Sequence, residues 1–146
     1  MSVMNMVQAI NNAFDIKLAE DKTVVMFGED VGVEGGVFRV TEGLQKKYGV
    51  QRVFDTPIAE SAIVGTGLGM AMSGLRPVVE LQFDGFTYPA FNQIISNVSR
   101  MHNRTRGRFK APMVIRFPYG GAINAIEHHS ESPEALYAHI PGIKVV

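Results

Sequence analysis

The chain has 146 residues, of which 46% are hydrophobic and 19% are charged, a composition typical of a globular domain rather than of a disordered segment. Its 14 Lys and Arg balance its 14 Asp and Glu, and it has no cysteine, which argues against a nucleic-acid partner, a disulfide framework and a thiolate metal site. Without a membrane-length apolar run or a signal-peptide pattern, the protein is expected to be cytoplasmic and to have no membrane partner.

Hydrophobic patterns predict helices that alternate with strands along the whole chain. An amphipathic helix is predicted over residues 6–20, and a buried strand follows over residues 23–27. Further helices are predicted over residues 38–48, 60–73, 91–101 and 133–139, and further strands over residues 52–55, 77–83, 112–117 and 143–146. This alternation indicates an α/β fold with a doubly wound, mainly parallel sheet. Because the chain stops within an apolar run, the domain of residues 1–146 is expected to be truncated near its end.

Glu60 stands at a predicted strand-to-helix turn, and ligands of parallel sheets bind at such strand ends. As a first-turn glutamate it would complement the helix dipole, which requires no function. Alternatively, its apolar neighbours, among them Ile58 and Ile63, would disfavour the charged carboxylate, so that the group could hold or share a proton. The spacing by itself favours the first interpretation.

Histidines and aromatic residues occupy other predicted strand ends. His128 and His129 lie in a loop without a third metal ligand nearby, so they are either surface residues or a proton donor and acceptor. Phe83 and Phe91 are expected in the core. Phe86 lies in a loop between small residues and is better placed to stack on a flat ligand.

Residues 65–69 contain three glycines in alternation, which resembles the start of a dinucleotide-binding fingerprint. That fingerprint needs glycine or alanine at its sixth position, where this chain has Met70, and no acidic residue follows at the required distance. A nucleotide-binding domain is therefore disfavoured. Gly65, Gly69 and Ser73 fall on one helical face, which predicts close packing against a neighbouring element.

A local basic stripe follows the predicted helix of residues 91–101. Its members are Arg100, Arg104, Arg106, Arg108 and Lys110. Such stripes are usually solvated faces. Contact with an acidic partner surface is the second interpretation, and RNA binding is the third because the chain carries no net charge.

Segments along the whole chain, in collinear order, resemble the beta subunit of the thiamine-diphosphate-dependent 2-oxo acid dehydrogenase decarboxylase component. These segments are residues 25–32, 35–44, 55–60, 74–78, 80–83 and 129–146. The resemblance implies the transketolase-like pyrimidine-binding domain, without the C-terminal transketolase-like domain of the family. It leaves the oxo acid open, since residues 132–143 are most similar to branched-chain members whereas pyruvate and acetoin enzymes share the rest.

The resemblance also implies roles for individual residues. Glu60 matches the catalytic glutamate that hydrogen-bonds N1′ of the cofactor's aminopyrimidine ring, which outweighs the helix-dipole interpretation. His129 matches the histidine that helps to transfer the acyl group to a lipoyl group. The residues implied to line the cofactor pocket with Glu60 are Phe86, Gln82, the backbone of Ile58, and Glu29. We therefore predict that Phe86 and Gln82 lie in contact with Glu60.

Cofactors and partners follow from the same resemblance. The family's signature for magnesium and diphosphate, Gly-Asp-Gly followed by an asparagine pair, is absent from this chain and belongs to the alpha subunit. The resemblance thus implies Mg²⁺ held by an alpha partner in a heterotetramer, and a lipoyl acyltransferase core that receives the product. The carbonyls of Ala111, Met113 and Val114 resemble part of a structural K⁺ site. Asn92 stands where the family commonly has aspartate. The alternative is a truncated, non-catalytic chain that only binds a partner.

Overall fold

A computed structural model describes residues 3–146 of the chain, except for the side chain of Ala122. In these residues four parallel strands form one sheet in the order β2-β1-β3-β4, which confirms the predicted parallel α/β fold. The strands are β1 (Val24–Gly28), β2 (Val53–Asp55), β3 (Arg76–Glu80) and β4 (Val114–Arg116). Every residue of β1 is buried, as expected of an inner strand covered on both faces.

Helices cover both faces of the sheet. They are α1 (Met6–Glu20), α2 (Leu44–Tyr48), α3 (Glu60–Met72), α4 (Thr87–Asn92), which continues as a π-helical segment (Gln93–Val98), α5 (Met101–Arg104) and α6 (Glu134–Ala138). In α1 a capping box between Asn5 and Gln8 satisfies the first free N–H groups of the helix. None of the described helices is long and apolar enough to cross a bilayer, and the cytoplasmic location stays a prediction.

Successive side chains of β1 belong to different cores, which makes the sheet doubly wound. Met26 packs with Leu18 of α1 and Leu44 of α2. Its neighbour Phe27 packs with Ile63 of α3 and with residues of the π-helical segment and α6. Because strand side chains alternate between the two faces, one short strand anchors both helical layers. The carboxyl end of β1 therefore lies between these two helical layers.

The glycine that lets α3 approach the sheet is Gly67. A Cβ atom there would lie 2.8 Å from Val79 Cγ1 and 2.9 Å from Met113 Cε. Gly69, by contrast, meets no described atom within 4 Å. The predicted packing face of Gly65, Gly69 and Ser73 is thus wrong for Gly69, because the buried face of α3 is the one that carries Gly67.

Several element boundaries differ from the prediction; β3, for example, ends at Glu80 and not at residue 83. Residues 38–43 form turns instead of the first part of a helix, since Arg39 and Gly43 have φ angles of 59° and 78°, outside the right-handed helical region. The helix predicted from Phe91 already begins at Thr87. Pro89 lies in its first turn, where the missing N–H of proline breaks no helical hydrogen bond.

The strand predicted over residues 143–146 does not form in the structure. Val145 and Val146 are both exposed. An apolar run favours a strand only where a neighbouring strand accepts and donates the backbone hydrogen bonds, and these residues pair with no described strand. The apolar composition predicted the strand, but composition does not show whether a neighbouring strand lies alongside to pair with it.

Candidate functional site

Two buried glutamates lie near each other, one where β1 ends and the other where α3 begins. Glu29 follows β1 and is 3% exposed, and Glu60 is the first residue of α3 and is 8% exposed. The Thr56 N–H donates to the Gly28 carbonyl at 3.0 Å, which ties the segment before Glu60 to the end of β1. The two carboxyl groups are close enough for the charge of Glu60 to act on Glu29. The sheet topology thus joins two carboxyl groups that are far apart in the sequence.

Glu29 is the more unusual of the two. Both of its carboxyl oxygens are buried without a hydrogen-bond partner among the described residues. Burial raises the pKa of Glu29 from 4.5 to about 7, and the charges of Glu60 and Asp30 add to the increase. The Ala59 N–H lowers this pKa slightly, although it does not reach hydrogen-bond geometry. A buried carboxyl without a partner is expected to meet a ligand group, and one with this pKa exchanges a proton near neutrality.

We expect Glu29→Gln to change how stability depends on pH. Because the folded chain holds the Glu29 proton more tightly than the unfolded chain, the resulting stability is full below about pH 4.5 and is lost as the pH rises through about 7. The glutamine does not titrate, so the variant should gain up to about 3 kcal/mol in free energy of unfolding, relative to the parent, between low and high pH. Urea denaturation at about pH 4 and about pH 8 measures this difference.

The exposed Glu42 provides the control for that measurement. Its replacement by glutamine makes the same chemical change at a carboxyl that is exposed instead of buried. The pH dependence of unfolding should therefore stay close to that of the parent. If Glu29→Gln and Glu42→Gln have the same pH dependence, Glu29 does not hold a tightly bound proton.

An aromatic cluster lies after β3. Its centre is Phe83, whose ring centroid is 3.8 Å from that of His129, 5.8 Å from that of Phe38 and 5.9 Å from that of Phe86. The expectation that Phe83 belongs to the core is wrong, because it is half-buried in this cluster, whereas Phe91 does pack against the core. Phe86 is half-buried and meets the His129 ring edge-on, with centroids 5.1 Å apart. The structure thus brings together the predicted stacking residue and the predicted histidine.

His129 has a defined orientation as well as a stacking partner. Its Nδ1 lies 2.8 Å from the His128 carbonyl oxygen. A carbonyl only accepts hydrogen bonds, so this contact places the proton of the neutral ring on Nδ1 and the lone pair on Nε2. Nε2 is therefore the ring atom that remains able to accept a proton.

The other residues predicted to line the pocket are Gln82 and Ile58. Gln82 donates from Nε2 to Asp30 Oδ2 at 2.6 Å, which joins the exit of β3 to that of β1 beside Glu29. The side chain of Ile58 is 80% exposed, so its predicted role remains one for its backbone. Contact of Phe86 and Gln82 with Glu60 stays a prediction.

The segment predicted to supply K⁺ ligands leads into β4. The Ala111 carbonyl accepts the Met113 N–H at 2.8 Å, and Val114 begins the strand. A carbonyl oxygen has two lone pairs, so this hydrogen bond leaves acceptor capacity for a cation. In the described part of the chain no three His, Asp or Glu side chains gather as a metal site, and that finding does not test a site made of carbonyls.

Two aspartates for which the sequence predicted no role hold the loops of this edge. Asp55 accepts the Gly32 N–H at 2.6 Å and the Val33 N–H at 3.3 Å, which fixes the glycine-rich loop after Glu29. Asp84 is fully buried and accepts the Gly85 N–H at 2.9 Å. Aspartate beside glycine is a signal of a local side-chain-to-backbone turn, which would have indicated Asp84 next to Gly85. Asp55 bonds to residues 22 and 23 positions away, and no local signal indicates such a contact.

The basic stripe lies on the surface around α5. All five of its members are exposed, and among their side chains only that of Arg104 forms hydrogen bonds with described groups, to Asn97 and the Ser96 carbonyl. Among the described residues no carboxylate forms an ion pair with the stripe. Both a solvated face and a surface for an acidic partner agree with these positions.

Comparison with known proteins identifies close relatives. The family described as the pyrimidine-binding domain of transketolase matches residues 2–146. The pyruvate dehydrogenase E1 component subunit beta of Acholeplasma laidlawii is 58% identical over 146 residues, which are 100% of this chain and 45% of that protein. The 3-methyl-2-oxobutanoate dehydrogenase subunit beta of Mycobacterium tuberculosis is 54% identical over 143 residues, which are 98% of this chain and 41% of that protein. The 2-oxoisovalerate dehydrogenase subunit beta of Pseudomonas aeruginosa is 53% identical with the same two coverages. The chain therefore spans less than half the length of these relatives.

Proposed function

Because the chain belongs to the transketolase pyrimidine-binding family, and matches the N-terminal part of 2-oxo acid dehydrogenase beta subunits, we propose that it forms the aminopyrimidine half of a thiamine diphosphate site. The enzyme would decarboxylate a 2-oxo acid oxidatively and pass the acyl group to a lipoyl group. The observation that carries this proposal is the buried Glu60 beside Glu29, whose two buried carboxyl oxygens have no partner among the described residues.

When bound, thiamine diphosphate supplies the electron sink for decarboxylation. Glu60 would hold a proton at N1′ of the aminopyrimidine from its place at the start of α3. Glu29, whose pKa burial raises to about 7, is partly protonated near neutrality, so the pocket avoids two adjacent full charges. Phe86 would pack against the ring, and Gln82 and the Ile58 backbone would line the same pocket.

His129 would act at the acyl-transfer step. Its Nε2 carries the lone pair in the neutral ring, so this atom would accept or return a proton as the acyl group moves to the lipoyl sulfur. Away from this pocket, the carbonyls of Ala111, Met113 and Val114 would contribute to a structural K⁺ site, since K⁺ is readily held by backbone carbonyls.

The remaining half of the enzyme would come from other chains. An alpha subunit would hold Mg²⁺ and the diphosphate and would assemble with the beta subunit as a heterotetramer. A lipoyl acyltransferase core would receive the product. The relatives' names include both pyruvate and branched-chain oxo acid dehydrogenases, so the proposal extends to a 2-oxo acid and not to a particular one.

Isothermal titration of thiamine diphosphate and Mg²⁺ tests the proposal. We expect heat of binding when the chain is mixed with an alpha subunit, and none for the chain alone, because only half of the cofactor contacts lie on it. Association with the alpha subunit without cofactor uptake would indicate a non-catalytic partner-binding chain. Binding of a nicotinamide dinucleotide instead would indicate a nucleotide-binding domain and overturn the proposal.

A further inference from the structure

A fully buried carboxylate anchors the loop that carries His129. Asp84 lies just beyond β3 and is 0% exposed. Its Oδ1 accepts the Gly85 N–H at 2.9 Å, and its Oδ2 accepts the N–H of Glu131. A carboxylate removed from water needs such charge-assisted hydrogen bonds, and each is stronger than a bond between neutral groups. The loop is therefore attached to the end of β3 at a point two residues from His129.

Gly85 brings the same loop closer at a second point. A Cβ atom at this position would lie 2.4 Å from the His128 carbonyl oxygen and 2.9 Å from His128 Cβ. Only glycine leaves room for this carbonyl against the backbone. The same carbonyl is the oxygen that meets His129 Nδ1 at 2.8 Å. The position of the acceptor that selects the tautomer of His129 thus depends on the absence of a side chain at Gly85.

Further hydrogen bonds hold the loop together and attach it to neighbouring residues. The Ala125 N–H donates to Ser130 Oγ at 3.0 Å, and the His129 N–H donates to the Ala125 carbonyl at 3.3 Å. The Glu131 carbonyl accepts the Gly120 N–H at 2.7 Å, and its carboxylate accepts the hydroxyl of Tyr88. Tyr88 is exposed and Asp84 is buried. Water therefore weakens the hydrogen bond from Tyr88 to Glu131 more than the hydrogen bond that Asp84 accepts from Glu131.

We propose that Asp84 and Gly85 are positioning residues for His129. Together they hold the loop that carries His129 against the end of β3 and keep the His129 ring as the Nδ1–H tautomer, stacked on Phe83 with ring centroids 3.8 Å apart. The consequence for acyl transfer rests on the proposed function. The anchoring itself is a property of this chain and is measurable without any partner.

Nuclear magnetic resonance of the ¹⁵N-labelled chain tests the proposal. In the parent we expect one set of His129 imidazole ¹⁵N signals with the pattern of the Nδ1–H tautomer. The Glu131 amide should exchange with solvent at least about tenfold more slowly than the Ile126 amide, since a hydrogen bond to a charged group protects it. In Asp84→Asn one acceptor is lost, so this protection should fall about tenfold and a second tautomer should appear.

Glu127→Gln is the matched control, because it removes one exposed negative charge from the same loop. It should leave both the tautomer and the Glu131 protection as in the parent. Gly85→Ala should disturb the His129 signals while Asp84 stays intact. Fast exchange of the Glu131 amide in the parent would overturn the proposal even if Asp84→Asn did not fold. So would a folded Asp84→Asn chain with the parent tautomer.

A different measurement tests the role of His129 in the proposed function. If an assembled complex with His129→Gln transferred acyl groups at the parent rate, His129 would have no part in that step. The tautomer and exchange results on the single chain would still stand. If the anchoring signals were absent from the parent chain but the His129→Gln complex were slow, the anchoring proposal would fail and the proposed role of His129 in acyl transfer would stand.

Discussion

In the proposed complex with an alpha subunit, replacing Glu60 with glutamine is expected to lower turnover of a 2-oxo acid by about a hundred- to ten-thousand-fold, the usual loss when a proton-transfer group is removed. Glutamine keeps the size of the side chain and would still hydrogen-bond the aminopyrimidine ring of the proposed site, but it could not share a proton with N1′. Cofactor affinity should change little, because the diphosphate and Mg²⁺ contacts are proposed to lie on the alpha subunit. Deuterium incorporation at C2 of the thiazolium ring isolates the affected step from later ones.

Glu134→Gln is the control for this variant. Glu134 is also a first-turn glutamate, at the start of α6, but it is exposed. Its replacement should leave the C2 exchange rate at the parent value. Equal exchange rates for parent, Glu60→Gln and Glu134→Gln would show that Glu60 only complements the dipole of α3, and the proposed catalytic role would be wrong.

The 146-residue chain by itself is expected to have no 2-oxo acid decarboxylase activity. It carries the proposed pyrimidine half of the site, whereas its relatives are more than twice as long and the diphosphate signature is absent from its sequence. Release of labelled CO₂ from pyruvate and from 3-methyl-2-oxobutanoate, with an artificial electron acceptor, measures the activity. Mixing the alpha subunit with a full-length beta subunit of a relative provides the positive control. Measurable release by the purified chain without a partner would contradict the proposed division of the site.

The alternation of strands and helices was predictable because it depends on which residues are apolar. The continuous apolar run before Glu29 predicted a fully buried inner strand, and β1 is one. The position of Glu60 at a strand-to-helix turn followed from the same pattern, and its interpretation as a catalytic residue came from resemblance. The turns at residues 38–43 were missed because apolar spacing does not report positive φ angles.

Local composition also failed where an element needs a partner. Residues 143–146 have the composition of a strand but pair with no described neighbour. The glycines of α3 show the same limit. Gly67 packs tightly against side chains of the sheet and against Met113, whereas Gly69 meets nothing within 4 Å, and only the tertiary structure distinguishes them. Sequence spacing identifies a face of a helix, but the sheet decides which face is buried.

The sequence by itself determined the parallel α/β fold, the family and the strand ends at which chemistry is proposed. Only the tertiary structure decided that Glu29 is buried without a hydrogen-bond partner among the described residues, so that its pKa rises to about 7. It also decided that Asp84 anchors the loop of His129 across 47 residues of sequence. The physical reason is that desolvation and charge interactions depend on distances between atoms and on the loss of water, and both are set by the packing of two helical layers on one sheet.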